Sequence, residues 1–594
     1  MSPFFHPYPE CSPSEVGAST PFNDSDLDKY TYDYIVVGGG SAGSCLASRL
    51  SETPGVSVLV VERGQVLDTW SNRVPLISAN FFREDSPAAL FPAEPLAHAN
   101  NRVLDIVAGE GLGGTSRING CLYARGLRGD WNRWNRPGWS YDELIPYFIK
   151  SENTLSQQLS SFRGKKGTWI NQVMPDMPRK ILRKVFESGK ALGIPVISDI
   201  NAPDAPAVAS VVVDYTIDQH IHRMSTFSAF LPKQLALARK SHLKICTKTI
   251  VTRVAISKAA NENRADGVYL QTTSGSTKEY FARARKEVIL CSGAIASPQL
   301  LLLSGIGPKS YLEQEGINVA FDSPGVGTQL HDHYAVAIGY DCPNSESLTT
   351  LIQNPLRIVV ELLKYLFLGS GVLAYPFMQF ALFIRTALIN SNGEVDTSRT
   401  AEIDGGNPDN TPDVEIMLCP HHVLNSPKDT PSKTGVFSFL VALIRPHSIG
   451  SVRLASKDPR DRAKVQLNYL DHPDDMKTLT TGVRFAERLA EGVRHSGYPL
   501  GNIRNPSTSS PAEFDTFLRE NIRSAYHFTS TCRMAPLSDP RPGVVDDELR
   551  VHGVSGLRVC DTSIFTEPLA THTMAPAVVT AEKLADILKS HHKN

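Results

Sequence analysis

Gly38, Gly40 and Gly43 stand in a Gly-x-Gly-x-x-Gly spacing, a pattern suited to holding a pyrophosphate. Each glycine has its own task. Gly38 permits a tight turn, Gly40 lets the backbone approach the phosphates, and Gly43 lets the next helix pack on the preceding strand. Amides and the dipole at that helix's N-terminus then face the negative charge. Glu62 lies 19 residues beyond Gly43. There its carboxylate can accept both hydroxyls of an adenosine ribose and repel a 2′-phosphate, which argues against NADP. The spacing alone does not separate NAD from FAD.

Other chemistry-bearing groups are weaker. His331 and His333 would share a face if extended, but no third metal ligand stands at a suitable spacing, so packing or hydrogen bonding is expected of them. His421 and His422, after Cys419, would face opposite ways on a strand and make a poor chelator. Nine cysteines, an odd and scattered set without a CxxC pair, do not make a disulfide scaffold or a metal site.

The elements around the first glycines agree with a dinucleotide site. Tyr34-Ile-Val-Val37 is an apolar, β-branched run of the kind buried in a parallel sheet. Ser44 to Leu50 reads as a helix, and Ser57-Val-Leu-Val-Val61 as a second strand ending at Glu62. Together they form a βαβ unit of about 30 residues.

Two further glycine clusters follow: Gly109-Glu-Gly-Leu-Gly-Gly-Thr-Ser-Arg-Ile-Asn-Gly120, and Cys291-Ser-Gly-Ala-Ile-Ala-Ser-Pro running on to Gly307-Pro308. With them stand Ser323-Pro-Gly-Val-Gly327, His331-Asp-His333, Tyr526-His527-Phe-Thr-Ser-Thr-Cys-Arg-Met534, Val559-Cys-Asp-Thr-Ser-Ile-Phe565 and Ala570-Thr-His572-Thr-Met-Ala-Pro576. From about residue 32 to the end this series resembles the glucose–methanol–choline (GMC) oxidoreductases, in particular the aryl-alcohol oxidase and choline dehydrogenase-like members. The resemblance implies FAD, with Ser41 and Ala42 by the pyrophosphate and Glu62 on the adenosine ribose. It places Gly114, Thr115, Asn119, Gly120, Leu122 and Thr573 at the cofactor, Val251 against the adenine through its backbone, and Asp561 near the ribityl-pyrophosphate. Members with a covalent flavin carry histidine where this chain has Ile118, so non-covalent FAD is expected.

The same resemblance makes His527 and His572 the catalytic pair. Oxidising an alcohol requires hydride to leave for flavin N5 while the hydroxyl proton goes to a base. Imidazole, with a pKa near 6.5, is largely neutral at pH 7 yet still basic. His527 is the candidate base and His572 the donor to the developing alkoxide, with the two labels exchangeable. Reduction should then accelerate as pH rises through about 6 to 7. Phe528 stands where proline is common, which would reshape the pocket edge. Electrons would pass to oxygen or to a quinone-like acceptor. The alternative is atypical chemistry on the same scaffold, of the lyase, cyclase or photodecarboxylase type.

The implied architecture is an α/β, Rossmann-like flavin domain from 31–155, 225–330 and 525–594, preceded by an irregular arm over 1–30. A substrate domain of α+β type with an antiparallel sheet takes 156–224 and 331–524. Phe437–Leu443 and Ser451–Leu454 alternate like strands. Pro355 to Ile384 carries only Arg357, Glu361 and Lys364 as charges. Gly369 and Gly371 interrupt it, leaving less than the some 20 apolar residues that a membrane span needs. It reads as a buried helix followed by a strand in the cavity wall. Phe377, Phe380 and Phe383 suggest a primary alcohol that is aromatic or lipophilic.

The 60 basic and 61 acidic residues nearly cancel, giving no basis for a nucleic-acid or anionic-membrane partner. The N-terminus lacks a basic start and an apolar run, and the C-terminal His592-Lys593-Asn594 is no peroxisomal address. A cytoplasmic protein is the expectation.

Overall fold

The apolar run Tyr34–Val37 lies in an inner strand, Thr31–Val37, parallel to Val58–Val61 on one side and Tyr280–Leu290 on the other. Every residue from Tyr32 to Val37 is buried, as expected of a parallel strand covered on both faces. Leu243–Cys246 extends the sheet in parallel beyond Val58–Val61. Glu262–Thr272 and Thr249–Ala259 continue it antiparallel on the far side. Leu557–Val559, from near the C-terminus, pairs parallel with Tyr280–Leu290. The computed structural model describes all residues except 1–6, 157–159, 175–179, 260–261, 350, 352–353, 377, 379, 422, 424–433, 507–509 and 592–594. Phe377, His422 and the C-terminal tripeptide therefore lie outside the described residues.

The N-terminal arm is not irregular throughout. Glu10–Cys11 pairs parallel with Leu243–Cys246, and Ala18–Ser19 pairs antiparallel with Tyr280–Leu290. Its Pro- and Ser-rich sequence has little strand propensity of its own. Main-chain groups offered by the large sheet override that, as tertiary context commonly does.

A second sheet is antiparallel throughout. Its order is Ala209–Val212, Phe380–Ile384, Val414–Cys419, Val436–Leu443, Tyr334–Asp341 and Gly501–Arg504, with Ile522–Ser524 also paired to Tyr334–Asp341. Nearly every residue of Val436–Leu443 is buried, because the helix Pro473–His495 packs on that strand and both faces are covered. Ser451–Arg453 forms a separate ribbon with Lys464–Gln466.

The apolar stretch does give a helix, Pro355–Leu368, and a fully buried strand, Phe380–Ile384. The helix, however, is not buried. Only its Glu361 and Tyr365 are, while Leu356 and Phe367 are 79% and 78% exposed. The polar contacts set this phase. Glu361 accepts the main-chain N–H of Val372 at 2.8 Å and pairs with Lys364, and the Tyr365 hydroxyl donates to the Ile221 carbonyl. Among the described residues no helix is long and apolar enough to cross a membrane.

Candidate active site

Each of the first three glycines meets a different surrounding. A Cβ on Gly38, whose φ is +99°, would stand 2.5 Å from the Cys291 carbonyl oxygen, and one on Gly43 would stand 1.9 Å from the Gly38 carbonyl oxygen. Those two are fixed by the protein's own packing. Gly40 is different: a Cβ there would meet nothing nearer than 3.9 Å. Its missing side chain leaves open space at the N-terminus of the helix Ser41–Leu50, where main-chain amides point outward. A Cβ on Gly114 would in turn stand 2.8 Å from the Gly40 Cα, so the two glycine loops meet edge to edge. This is a cradle that a bound group would fill, and it fits the pyrophosphate of FAD.

A cavity of about 920 Å³ opens from this cradle. Gly40, Ser41, Ala42, Gly114, Thr115, Asn119, Gly120, Leu122, Asp561 and Thr573 line it, as do His527 and His572. Ile118 lies on the same wall. Gly38, Gly43, Glu62 and Val251 are not part of the lining. Glu62 is buried behind the first loop, accepting the N–H groups of Gly39 and Gly64 at 2.8 Å each, and burial raises its pKa. Val251 is buried two residues past Thr249, whose N–H donates to the Glu62 carbonyl.

Asp561 knits the third glycine cluster to the C-terminal segment. One carboxylate oxygen accepts from the Gly293 N–H at 2.8 Å and the Ser297 hydroxyl at 2.6 Å, and the other from the Ser563 N–H. Asn119 is fixed by Arg223, whose guanidinium donates to its side-chain oxygen at 2.7 Å and to its carbonyl.

Two histidines meet on the lining of the same cavity. The His527 and His572 rings lie edge to face with centroids 4.8 Å apart. His527 Nδ1 is 2.9 Å from His333 Nδ1, and His572 Nε2 is 3.1 Å from Glu415 Oε1. Just before His527, Tyr526 takes a left-handed φ of +61°, a conformation costly for a bulky residue and typical of functional turns. Asp332 holds this turn. It accepts the His527 N–H at 2.7 Å, and its second oxygen takes the hydroxyls of Ser524 and Tyr469. Burial pushes the Asp332 carboxyl up to about 7.

Burial also depresses the imidazoles. His333 is pulled down to about 3 by loss of water and then by the neighbouring His572 and His331, while the carbonyls of Leu569 and Ile444 favour a proton on its ring. His527 is lowered well below the ordinary imidazole value, first by burial and then by His572 and His333. His331 is likewise held down to about 4 by burial.

The aromatic lining differs from the expectation. Phe380 packs on Phe186 with ring centroids 4.7 Å apart, and Phe383 is buried in the core; neither lines the cavity. Trp70, Phe81, Phe82, Tyr526 and Phe528 do, with Ile358, Leu362 and Met378 from the apolar stretch. Glu415, Asp332, Tyr469 and Arg223 are groups that the sequence reading did not single out. Glu415 had a readable signal: it is the one acid in the otherwise apolar strand Val414–Cys419. Among the described residues no group of three or more His, Cys, Asp or Glu side chains could hold a metal ion.

Comparison with known proteins agrees with this geometry. Residues 32–335 and 446–581 match the N- and C-terminal family models described as GMC oxidoreductase. An oxygen-dependent choline dehydrogenase of Stenotrophomonas maltophilia is 32% identical over 580 residues, 94% of this chain and 95% of that protein. A glucose dehydrogenase (FAD, quinone) of Drosophila pseudoobscura pseudoobscura is 32% identical over 596 residues, covering 96% and 88%. The formate oxidase of Aspergillus oryzae superposes with a TM-score of 0.82 at 26% identity, over 95% of this chain and 99% of that one. With the glycine cradle, the two sheets and both family models in agreement, the chain belongs to the GMC oxidoreductase family and is an FAD-dependent enzyme.

Proposed function

We propose that the chain oxidises a primary alcohol, aromatic or lipophilic, and hands the electrons to oxygen or a quinone-like acceptor. The observation that carries this reading is the meeting of His527 and His572 on the wall of the same cavity that the glycine loops enter. Bound FAD would supply the hydride acceptor, held non-covalently beside Ile118 and gripped by Gly40 to Ala42, Gly114 to Leu122 and Asp561. In this reading 31–155, 225–330 and 525–594 form the flavin domain and 156–224 and 331–524 the substrate domain.

The two imidazoles divide the work. In this reading His333 Nδ1 is the acceptor in its 2.9 Å contact with His527 Nδ1. His527 then donates from Nδ1, and its Nε2 keeps the lone pair. Burial holds His527 neutral, the state a base must have before it takes the hydroxyl proton. His572 Nε2 stands against the Glu415 carboxylate, which orients its ring. In this reading His572 is the donor to the oxygen as alkoxide character develops.

Anaerobic mixing with a panel of alcohols, followed by flavin absorbance, tests the reading. Benzyl-type and long-chain primary alcohols should bleach the flavin. A flavin that stays oxidised with every alcohol would sink the proposal, and comparable turnover of glucose, choline and benzyl alcohol would defeat its substrate class.

A further inference from the structure

The helix Pro355–Leu368 turns an apolar face to solvent. At 100° per residue, Leu366, Val359, Leu363, Leu356, Phe367 and Val360 fall within one arc of about 120°, with exposures from 48% to 79%. A surface helix normally lays such an arc on the core. Here Glu361 and Tyr365 take the inward positions, and among the described residues nothing covers the outward arc. Apolar patches of this extent on a monomer are characteristically functional.

The arc is continuous with the mouth of the cavity. Ile358 and Leu362, on the inner edge of the helix, line the cavity. Three apolar lining residues are also solvent-facing: Ile358 at 40%, Phe82 at 41% and Trp70 at 44%. The Trp70 ring meets Tyr365 edge-on at 6.2 Å, tying the rim to the helix. Arg357 and Lys364 flank one side of the arc, and Glu361, the only acid of the helix, is buried and paired with Lys364 at 2.8 Å.

We infer that this face docks on a lipid bilayer, with the helix axis in the membrane plane and the cavity mouth against the lipid. Its 14 residues fall short of the some 20 required to span. An apolar arc flanked by basic side chains, with an indole beside it, is the composition of an interfacial helix. A protein partner seated on the same face would cover the apolar rim and close the way in. A bilayer extends the apolar path from the rim outward. The near-zero balance of the whole chain does not register this, because the attraction comes from apolar area and a few local charges. Delivery of a lipophilic alcohol from the bilayer rests on the proposed function; docking itself does not.

The test is sedimentation of the full-length, FAD-loaded protein with vesicles of phosphatidylcholine, and of phosphatidylcholine mixed equally with phosphatidylglycerol. Wild type should pellet with both, more strongly with the anionic mixture. The double variant Leu363→Glu, Phe367→Glu should partition at least about tenfold less, since two apolar side chains are lost from the buried face. Neither residue lines the cavity, so flavin absorbance, melting temperature and reduction by a short water-soluble alcohol should match wild type. Wild type left in the supernatant, or a double variant that binds as well as wild type, overturns the inference. So does a wild-type dimer by light scattering that the double variant dissociates, which would assign the face to a second copy. If vesicles are bound but no alcohol bleaches the flavin, docking stands and the reaction assigned above falls.

Discussion

Replacing Glu415 with glutamine isolates the charge behind His572. The pair is 3.1 Å apart, with side-chain exposures of 1% for Glu415 and 12% for His572. Hydrogen bonds to charged groups contribute about 1.5–3 kcal/mol net. Glutamine keeps an oxygen that can accept from Nε2 but removes the carboxylate charge behind the ring. The donor to the developing alkoxide is then less well held and less polarised, and flavin reduction should slow by about 10- to 150-fold. Glu415→Leu, which also removes the acceptor, should be slower still. The assay is anaerobic stopped-flow bleaching of the flavin, with FAD content and melting temperature measured alongside. Both variants bleaching within about twofold of wild type, with FAD bound, would refute the role given to Glu415.

Acid precipitation should leave the yellow colour in the supernatant, because Ile118 offers no ring nitrogen for a flavin linkage; colour in the pellet would contradict this. The pH profile of reduction should be flatter than an ordinary histidine gives. The neutral form of His527 is the active one, so the rate falls only as pH drops through its pKa, and burial has moved that pKa well below 6.5. An unperturbed imidazole would lose about tenfold between pH 7.5 and 5.5; here reduction at saturating alcohol should change by less than about twofold. A tenfold fall would contradict the burial-driven shift and restore the rise through about 6 to 7 that an ordinary imidazole gives. The losses in His527→Ala and His572→Ala should not multiply in the double variant, since groups acting as one unit are non-additive; full multiplication in stopped-flow reduction would show independent roles.

What was legible in the sequence follows from how local each cause is. The βαβ unit could be read because strand, glycine turn, helix and acid are contiguous from Tyr34 to Glu62. The pairing of His527 with His572 was available through motif resemblance, and the structure sets their rings 4.8 Å apart. Glu415 and Asp332 were not legible as partners, because their contacts span 157 and 195 residues of sequence and depend on how the second sheet closes over the first. The helix Pro355–Leu368 misled for another reason. Its count of apolar residues suggested burial, but the inward phase is set by Glu361 and Tyr365, whose partners Val372 and Ile221 lie outside the helix. The N-terminal strands Glu10–Cys11 and Ala18–Ser19 form on edges supplied by distant segments, which no local propensity reports.

The most direct test of the central claim is anaerobic stopped-flow reduction of the flavin by the best alcohol, in wild type and in His527→Ala. We expect the variant to keep its FAD and to bleach two to four orders of magnitude more slowly, roughly the worth of a positioned base. A variant that retains FAD and bleaches at the wild-type rate would show that His527 does not take the alcohol's proton.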